Sequence, residues 1–154
     1  MKIKFLFIYA ILICLLFTAA ACSSSQGPSK EDVLKEYVDA INDKDYEKMY
    51  SLIASDSGIT QEDFITRNKN IYQGIGTANI VIEIDEEQQN DTLSYSTTMD
   101  TSAGQITFDN TVAFENENGE NKIKWSSNLI FPNLNADDTV RVKTTSGVRG
   151  NIYD

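Results

Sequence analysis

The 154 residues of this chain include no histidine, which restricts the chemistry that the chain can perform. Without an imidazole, neither a Ser-His-Asp triad nor a Cys-His pair can form, and every His-ligated metal site is excluded. The two cysteines, Cys14 and Cys22, both lie near the N-terminus. We therefore expect no thiol nucleophile, disulfide or thiolate-bound metal in the rest of the chain. No cofactor is predicted.

Carboxylates are the remaining candidates for acid–base work. Acidic groups cluster in residues 85–87 and beside a predicted turn, at Glu115, Glu117 and Glu120. A catalytic carboxyl with a raised pKa needs apolar surroundings. The alternation in the predicted strands places no carboxylate on the apolar face, and Asp100 and Asp109 come nearest to it. A calcium site at residues 116–120 has oxygen ligands but lacks the Asp-x-Asp-x-Asp spacing. Acidic runs at turns are more often solvated, so we predict neither a catalytic carboxylate nor a metal site.

The overall charge excludes another class of function. The chain has 13 Lys and Arg residues against 23 Asp and Glu residues, a net charge of −10. Phosphate contacts need clustered basic side chains, so no nucleic-acid partner is expected. Hydrophobic residues at 41% and charged residues at 23% are typical of a globular protein, and the length allows one domain plus a tail.

Residues 1–21 have the pattern of a secretory signal peptide. Lys2 and Lys4 precede an unbroken apolar run over residues 5–17, and small residues follow. As a helix this run would rise only about 20 Å, whereas the hydrocarbon core of a bilayer is roughly 30 Å thick. A plain signal peptide with an incidental cysteine, or an uncleaved anchor, would fit the same pattern.

The small residues end at Cys22, and three serines follow, which resembles the bacterial lipobox. That resemblance implies cleavage before Cys22, lipidation of its sulfur, and a location on the outer face of the bacterial cytoplasmic membrane. Two acyl chains give stable anchoring where one is marginal. Residues 22–28, which contain Ser-Ser-Ser-Gln-Gly-Pro, are then a short flexible tether.

Three short amphipathic helices are predicted to follow the tether. Ser29 with Asp32, and Thr60 with Asp63, have the spacing of helix N-terminal capping boxes. Between them a second helix begins near Asp45. The predicted apolar stripes are Val33, Leu34, Tyr37, Val38 and Ile41, then Tyr46, Met49, Tyr50, Leu52 and Ile53, then Phe64, Ile65, Ile71 and Tyr72.

From Ala78 the apolar period changes from about 3.6 to 2, which predicts four antiparallel strands with one buried face. Asn118-Gly119 is typical of a type I′ hairpin turn. The last strand is predicted to be long and to run through Trp125 and Phe131 until Pro132 ends it. The predicted fold class is α+β, with three N-terminal helices packed on a curved antiparallel sheet.

This order of elements resembles the cone of nuclear transport factor 2-like domains. Trp125 to Leu134, with Pro132 inside it, leads to an Arg149-Gly150-Asn151-Ile152-Tyr153-Asp154 ending. Together, the order of elements, the Trp125–Leu134 segment and the ending at residues 149–154 resemble the N-terminal extension of class B penicillin-binding proteins of the MecA type. The resemblance covers residues 29–154 and implies a cone-like domain over residues 29–140. Residues 141–154 would begin a linker or stalk to a transpeptidase domain, with Arg141, Arg149 and Asp154 as the expected contacts to that module.

Penicillin-binding transpeptidases use Ser-x-x-Lys, Ser-x-Asn and Lys-Thr-Gly motifs. No serine in this chain has a lysine three residues later. Ser126-Ser127-Asn128 fits Ser-x-Asn as a chance match within a serine pair, and Lys143-Thr144-Thr145 lacks the glycine. We therefore expect this chain not to be an enzyme, and the resemblance implies that its full-length parent is a D,D-transpeptidase.

Three functional hypotheses follow. The first is a non-catalytic module that spaces a transpeptidase from the membrane, with a role in cell-wall synthesis and β-lactam response. Its partners would be the membrane, its own stalk and transpeptidase domain, and peptidoglycan. The second is a free-standing lipoprotein with a ligand in the cone, and the third is a small enzyme using that cavity, for which no catalytic set exists. Seven aromatic residues could line such a cavity, namely Tyr37, Tyr50, Tyr72, Tyr95, Phe108, Phe114 and Trp125. Aromatic residues at these spacings are more often ordinary core.

Overall fold

The computed structural model describes residues 27–85, 91–143 and 145. Three helices precede four strands and a short 3₁₀ turn. The helices are α1 (Lys30–Asp43), α2 (Tyr46–Ser51) and α3 (Gln61–Gly74). The strands are β1 (Ala78–Ile84), β2 (Thr92–Thr101), β3 (Gly104–Glu117) and β4 (Glu120–Ile123), and the 3₁₀ turn is Ser127–Leu129.

The helix boundaries follow from local capping chemistry. The Ser29 hydroxyl accepts the backbone N–H of Asp32 at 3.1 Å, and the Asp32 carboxylate accepts the Ser29 N–H at 3.3 Å, so the predicted capping box is present. Lys44, in the left-handed region with φ 59°, ends α1 and allows Asp45 to cap α2. Thr60 caps α3 by accepting the N–H of Asp63 at 3.1 Å. Sequence was therefore sufficient to locate all three helix starts.

The four strands form one antiparallel sheet in the order β1-β2-β3-β4. β2 and β3 pair along the whole of β2, and every second residue of β2, from Leu93 to Met99, is buried. Asn118 and Gly119 both have positive φ, at 54° and 91°, as a type I′ turn requires. Alternate burial means that the sheet has one core face and one solvent face.

The helices cover the core face of this curled sheet. Phe64 of α3 is fully buried and packs edge-on against Tyr50 and Trp125, with ring centroids 5.5 and 5.1 Å apart. α1 packs on β1 and β4, and α2 links α1 to α3. The α+β class and the arrangement of three helices on an antiparallel sheet are confirmed.

The prediction of a long last strand is wrong. β4 ends at Ile123, and its pairing with β3 stops at Phe114. Trp125 then donates its backbone N–H to the Ser57 hydroxyl at 3.2 Å instead of to a neighbouring strand. The chain leaves the sheet because Trp125 packs onto Phe64, a tertiary contact that strand periodicity cannot reveal.

We predict that Phe64→Ala destabilises the domain by about 3–5 kcal/mol, because it leaves a cavity among Tyr50 and Trp125. Urea unfolding followed by far-UV circular dichroism measures this loss. Val81→Ala is the control, since Val81 is 59% exposed and its truncation should cost less than about 1 kcal/mol. Equal losses for the two variants would contradict the assignment of Phe64 to the centre of the core.

Candidate functional site

The predicted site residues are only partly within the structure. Cys22, Arg149 and Asp154 lie outside the described residues, so the predictions made for them stay predictions. Arg141 is described and exposed. It makes no hydrogen bond or ion pair with any other described residue, so within that part of the chain no site forms around it.

A contact that sequence reasoning missed holds the chain where it leaves the domain. We call residues 135–138 the exit loop. Arg67 of α3 donates from Nη2 to the carbonyl oxygen of Asn135 at 2.6 Å and, more weakly, to that of Asp138 at 3.4 Å. Because the guanidinium reaches two backbone carbonyls, the contact fixes the path of the loop and not the identity of its side chains.

The exit loop is also closed on itself. The Asp138 carboxylate accepts from the backbone N–H of Asn135 at 2.8 Å and from its side-chain amide at 2.9 Å. These hydrogen bonds, with a smaller effect of the Arg67 charge, lower the pKa of Asp138 below its ordinary value of 3.8. The spacing of Asn135 and Asp138 is typical of a turn and can be recognised in the sequence. No sequence pattern indicates that Arg67, 68 residues before Asn135, binds this turn.

A cleft of about 900 Å³ separates α3 from the segment that contains the exit loop. The Arg67 Nε lies buried beside this cleft and has no hydrogen-bond partner among the described residues. Polar and apolar side chains both line it, including Asn70, Ile71, Trp125 and Val140. The cleft is open to solvent, and the exit loop forms one wall of it.

The chain comes into the domain at a different place. The Pro28 carbonyl, just before α1, accepts the side-chain amide of Asn121 on β4 at 2.9 Å. Lys30 forms a 2.8 Å ion pair with Asp91, next to the start of β2. The incoming chain therefore rests on the sheet near the β3–β4 hairpin, whereas the outgoing chain rests on α3.

The interior of the cone is filled. Its cavity has a volume of about 20 Å³, room for roughly one water molecule. Tyr37, Tyr72 and Tyr95 surround it and are buried, and burial raises the pKa of each hydroxyl above the usual 10.0. Phe114 and Trp125 are also buried, so these aromatic residues form core, as their spacing indicated.

The carboxylates near the β3–β4 turn are engaged in local contacts. Glu117 accepts from both the backbone N–H and the hydroxyl of Ser55, at 2.7 and 2.9 Å, and these bonds lower its pKa below 4.5. Glu115 pairs with Lys124 at 3.2 Å, which raises the pKa of Lys124, and Glu120 pairs with Lys122 at 3.1 Å. Each of these carboxylates is therefore held by a hydrogen bond or an ion pair.

Within residues 27–85, 91–143 and 145, no group of three or more acidic or cysteine side chains is placed to bind a metal ion. None of the helices found there has the length and apolar content needed to cross a bilayer. The Ser-x-Asn match falls in the 3₁₀ turn, where Ser127 is buried and the Asn128 carbonyl accepts the Asn110 amide at 2.7 Å.

Comparison with known proteins decides the family. A family model described as the NTF2-like N-terminal transpeptidase domain matches residues 29–138. The chain belongs to this family. The N-terminal transpeptidase domain defined by that match includes all three helices, the whole sheet and the exit loop.

A named relative agrees with this assignment. The chain is 31% identical to penicillin-binding protein 3 of Bacillus subtilis (strain 168), over 96% of this chain but only 24% of that protein. The N-terminal transpeptidase domain is thus similar to a quarter of a much longer relative. A solved structure of Bd1075 from Bdellovibrio bacteriovorus is 16% identical and covers 58% of this chain and 36% of its own, with a TM-score of 0.41.

We predict that Arg67→Ala loosens the exit loop of this N-terminal transpeptidase domain without unfolding it. Losing a charged donor to two carbonyls should speed amide hydrogen exchange in residues 135–138 by roughly tenfold. Lys69→Ala, an exposed change on the same helix, is the control. Unchanged exchange in the Arg67 variant would show that the exit loop does not depend on this contact.

The buried tyrosines predict a stability limit at high pH. Their folded-state pKa values lie above 10.0, so their contribution to stability is complete below pH 10 and is lost as pH rises above it. We expect tyrosinate absorbance from these residues to develop together with loss of circular dichroism. Tyr72→Phe should shrink the absorbance step that accompanies unfolding. A full tyrosinate signal from a still-folded domain would contradict their burial.

Proposed function

We propose that this chain is the non-catalytic N-terminal module of a lipid-anchored penicillin-binding protein, and that it spaces the transpeptidase domain from the membrane. The observation that carries the proposal is the match of residues 29–138 to a domain defined by its position before a transpeptidase. Similarity to penicillin-binding protein 3 supports it, since 96% of this chain corresponds to only 24% of that relative.

The two attachment points of the domain support a spacing role. The incoming chain rests on β4 through Pro28 and Asn121, and the outgoing chain is held on α3 by Arg67. A folded domain whose two ends are each held by hydrogen bonds transmits position better than a flexible linker would. Between these two points, the buried side chains of the helices and the sheet pack into one hydrophobic core.

The proposed anchor is a lipid on Cys22, which would place the domain on the outer face of the bacterial cytoplasmic membrane. Residues 23–28 give the domain a short polar tether. The net charge of −10 becomes −12 when Lys2 and Lys4 are removed with residues 1–21. This charge opposes contact with anionic headgroups, so the anchored domain would stand off the bilayer. Its remaining partners are then its own stalk and transpeptidase domain, and peptidoglycan.

In this proposal the bond-making chemistry belongs to the downstream domain, which would carry out D,D-transpeptidation and react with β-lactams. The module described by the structure would contribute to cell-wall synthesis by holding that domain at the right height. The absence of Ser-x-x-Lys from the sequence is consistent with this division of labour.

The alternative of a free-standing lipoprotein with a ligand inside the cone receives no support from the geometry. Drug-sized ligands occupy pockets of about 300–1,000 Å³, whereas the interior cavity measures about 20 Å³. Tyr37, Tyr72 and Tyr95 occupy the space that such a ligand would need. A ligand would have to bind in an open surface cleft instead.

The proposal is tested on native membranes with an antibody against residues 29–140 and a fluorescent penicillin. We expect one band, much larger than this chain, to carry both signals and to sediment with the membrane fraction. Cys22→Ser should abolish incorporation of a labelled fatty acid into that band while leaving its penicillin labelling unchanged. A single antibody band of this chain's size without label would overturn the proposal.

A further inference from the structure

The two edge strands of the sheet, β1 and β4, differ in how their outward backbone groups are hydrogen-bonded. On the β4 side, Ile123 donates its N–H to the Leu52 carbonyl at 2.9 Å, and its own carbonyl accepts the Ala54 N–H at 2.8 Å. Residues 52–54 therefore pair with that edge at Ile123. On the β1 side, the Asn42 side chain of α1 hydrogen-bonds to Ile80 and to no other described residue. Its amide donates to the Ile80 carbonyl and its oxygen accepts the Ile80 N–H, both at 2.9 Å.

Farther along the β1 edge, backbone groups also point away from β2. Ile80 points its N–H and carbonyl away from β2, whereas the Asp85 N–H binds Ser94 of β2 at 3.0 Å. Because direction alternates along a strand, Ile82 and Ile84 also point their polar groups outward. Among the described residues these groups meet no partner, and such an edge can accept another strand.

The side chains along this edge define the kind of strand that fits. Ile82 and Ile84 face the core and are only partly buried. Val81, Glu83 and Asp85 face solvent and are exposed. A complementary strand needs an apolar residue toward the core and basic residues on the solvent side.

The chain itself contains such a segment in residues 141–143, which we call the basic strand. Its sequence is Arg141-Val142-Lys143, so the valine faces opposite to the two cations when the segment is extended. All three residues are exposed, and Val142, at 39%, is with Val81 one of two large apolar side chains left exposed in the described ranges.

We propose that the basic strand of a second copy of this chain adds to β1 in antiparallel orientation. Val142 would lie opposite Ile84 as a hydrogen-bonded pair, which places Lys143 opposite Glu83 and Arg141 opposite Asp85. These two charge pairs fall at non-hydrogen-bonded positions, where side chains are closest. Val140 can stay packed on its own core, because the pairing begins one residue later.

The charges along the β1 edge favour pairing with the basic strand over pairing with the β1 strand of a second copy. Two β1 edges would bring Glu83 and Asp85 of one copy against the same carboxylates of the other, and like charges across a strand pair destabilise it. The basic strand instead supplies two cations to an acidic edge of a protein whose net charge is −10. The Arg67 contact with the exit loop ends at Asp138, which leaves residues 141–143 clear of it.

Sedimentation equilibrium of the full chain in density-matched detergent tests the proposal. We expect self-association that rises with protein concentration and that Glu83→Lys weakens about tenfold. Lys143→Glu should weaken it similarly, and combining the two changes should restore it, because the pair is then reversed. Failure of the combined variant to recover, with its circular dichroism intact, would overturn the proposed register.

Matched controls separate the edge from general charge effects. Asp109→Lys changes the same charge on the solvent face of β3, and Lys69→Glu reverses an exposed lysine on α3; neither should alter association. Amide exchange at Ile84 should slow as concentration rises. A monomer at every concentration, association insensitive to Glu83→Lys, or protection of Ile84 that is independent of concentration would each overturn pairing with a second copy.

Discussion

The structure depends on the place where Ile123 joins the helical layer to the sheet. Its side chain is fully buried, and its backbone pairs with residues 52–54 on one side while Phe114 lies opposite it on β3. A fully buried backbone must find hydrogen-bond partners, so the segment after α2 has to run beside β4. This bridge holds the helices over the core face of the sheet. It also sets where Trp125 leaves the sheet to reach Phe64.

That bridge explains why the two ends of the sheet differ. Residues 52–54 pair with Ile123 at the β4 edge. Among the described residues, the β1 edge has only the Asn42 side chain on Ile80 and a shift of register between Ala78 and Val81. Natural sheets protect edges by such devices, but these protect only the first part of β1. The same asymmetry separates the chain's two connections, with the incoming chain on β4 and the outgoing chain on α3. Because hydrogen bonds hold the chain at both places, this asymmetry supports the proposed spacing role.

Much of the fold could be predicted because it follows short-range rules. Ser29, Lys44 and Thr60 mark helix ends through hydrogen bonds and backbone angles within a few residues. Alternation in β2 and the Asn118-Gly119 turn define the strand pairing in the same way. The last strand was predicted too long because alternation continues past Ile123. The site was predicted less well, because Arg67 looks like an ordinary solvent-facing residue of an amphipathic helix.

By itself, the sequence determined the α+β class, the helix starts, the one-sided sheet and the family resemblance. These depend on periodicity, capping and motif spacing, all of which are properties of neighbours along the chain. Tertiary structure alone decided that the cone interior is filled and that Arg67 holds the exit loop 68 residues away. It also decided that, among the described residues, the β1 edge is hydrogen-bonded only at Ile80. Those features depend on which distant surfaces meet. The free energy of burying backbone and side chains against distant partners selects that arrangement, and no local pattern encodes it.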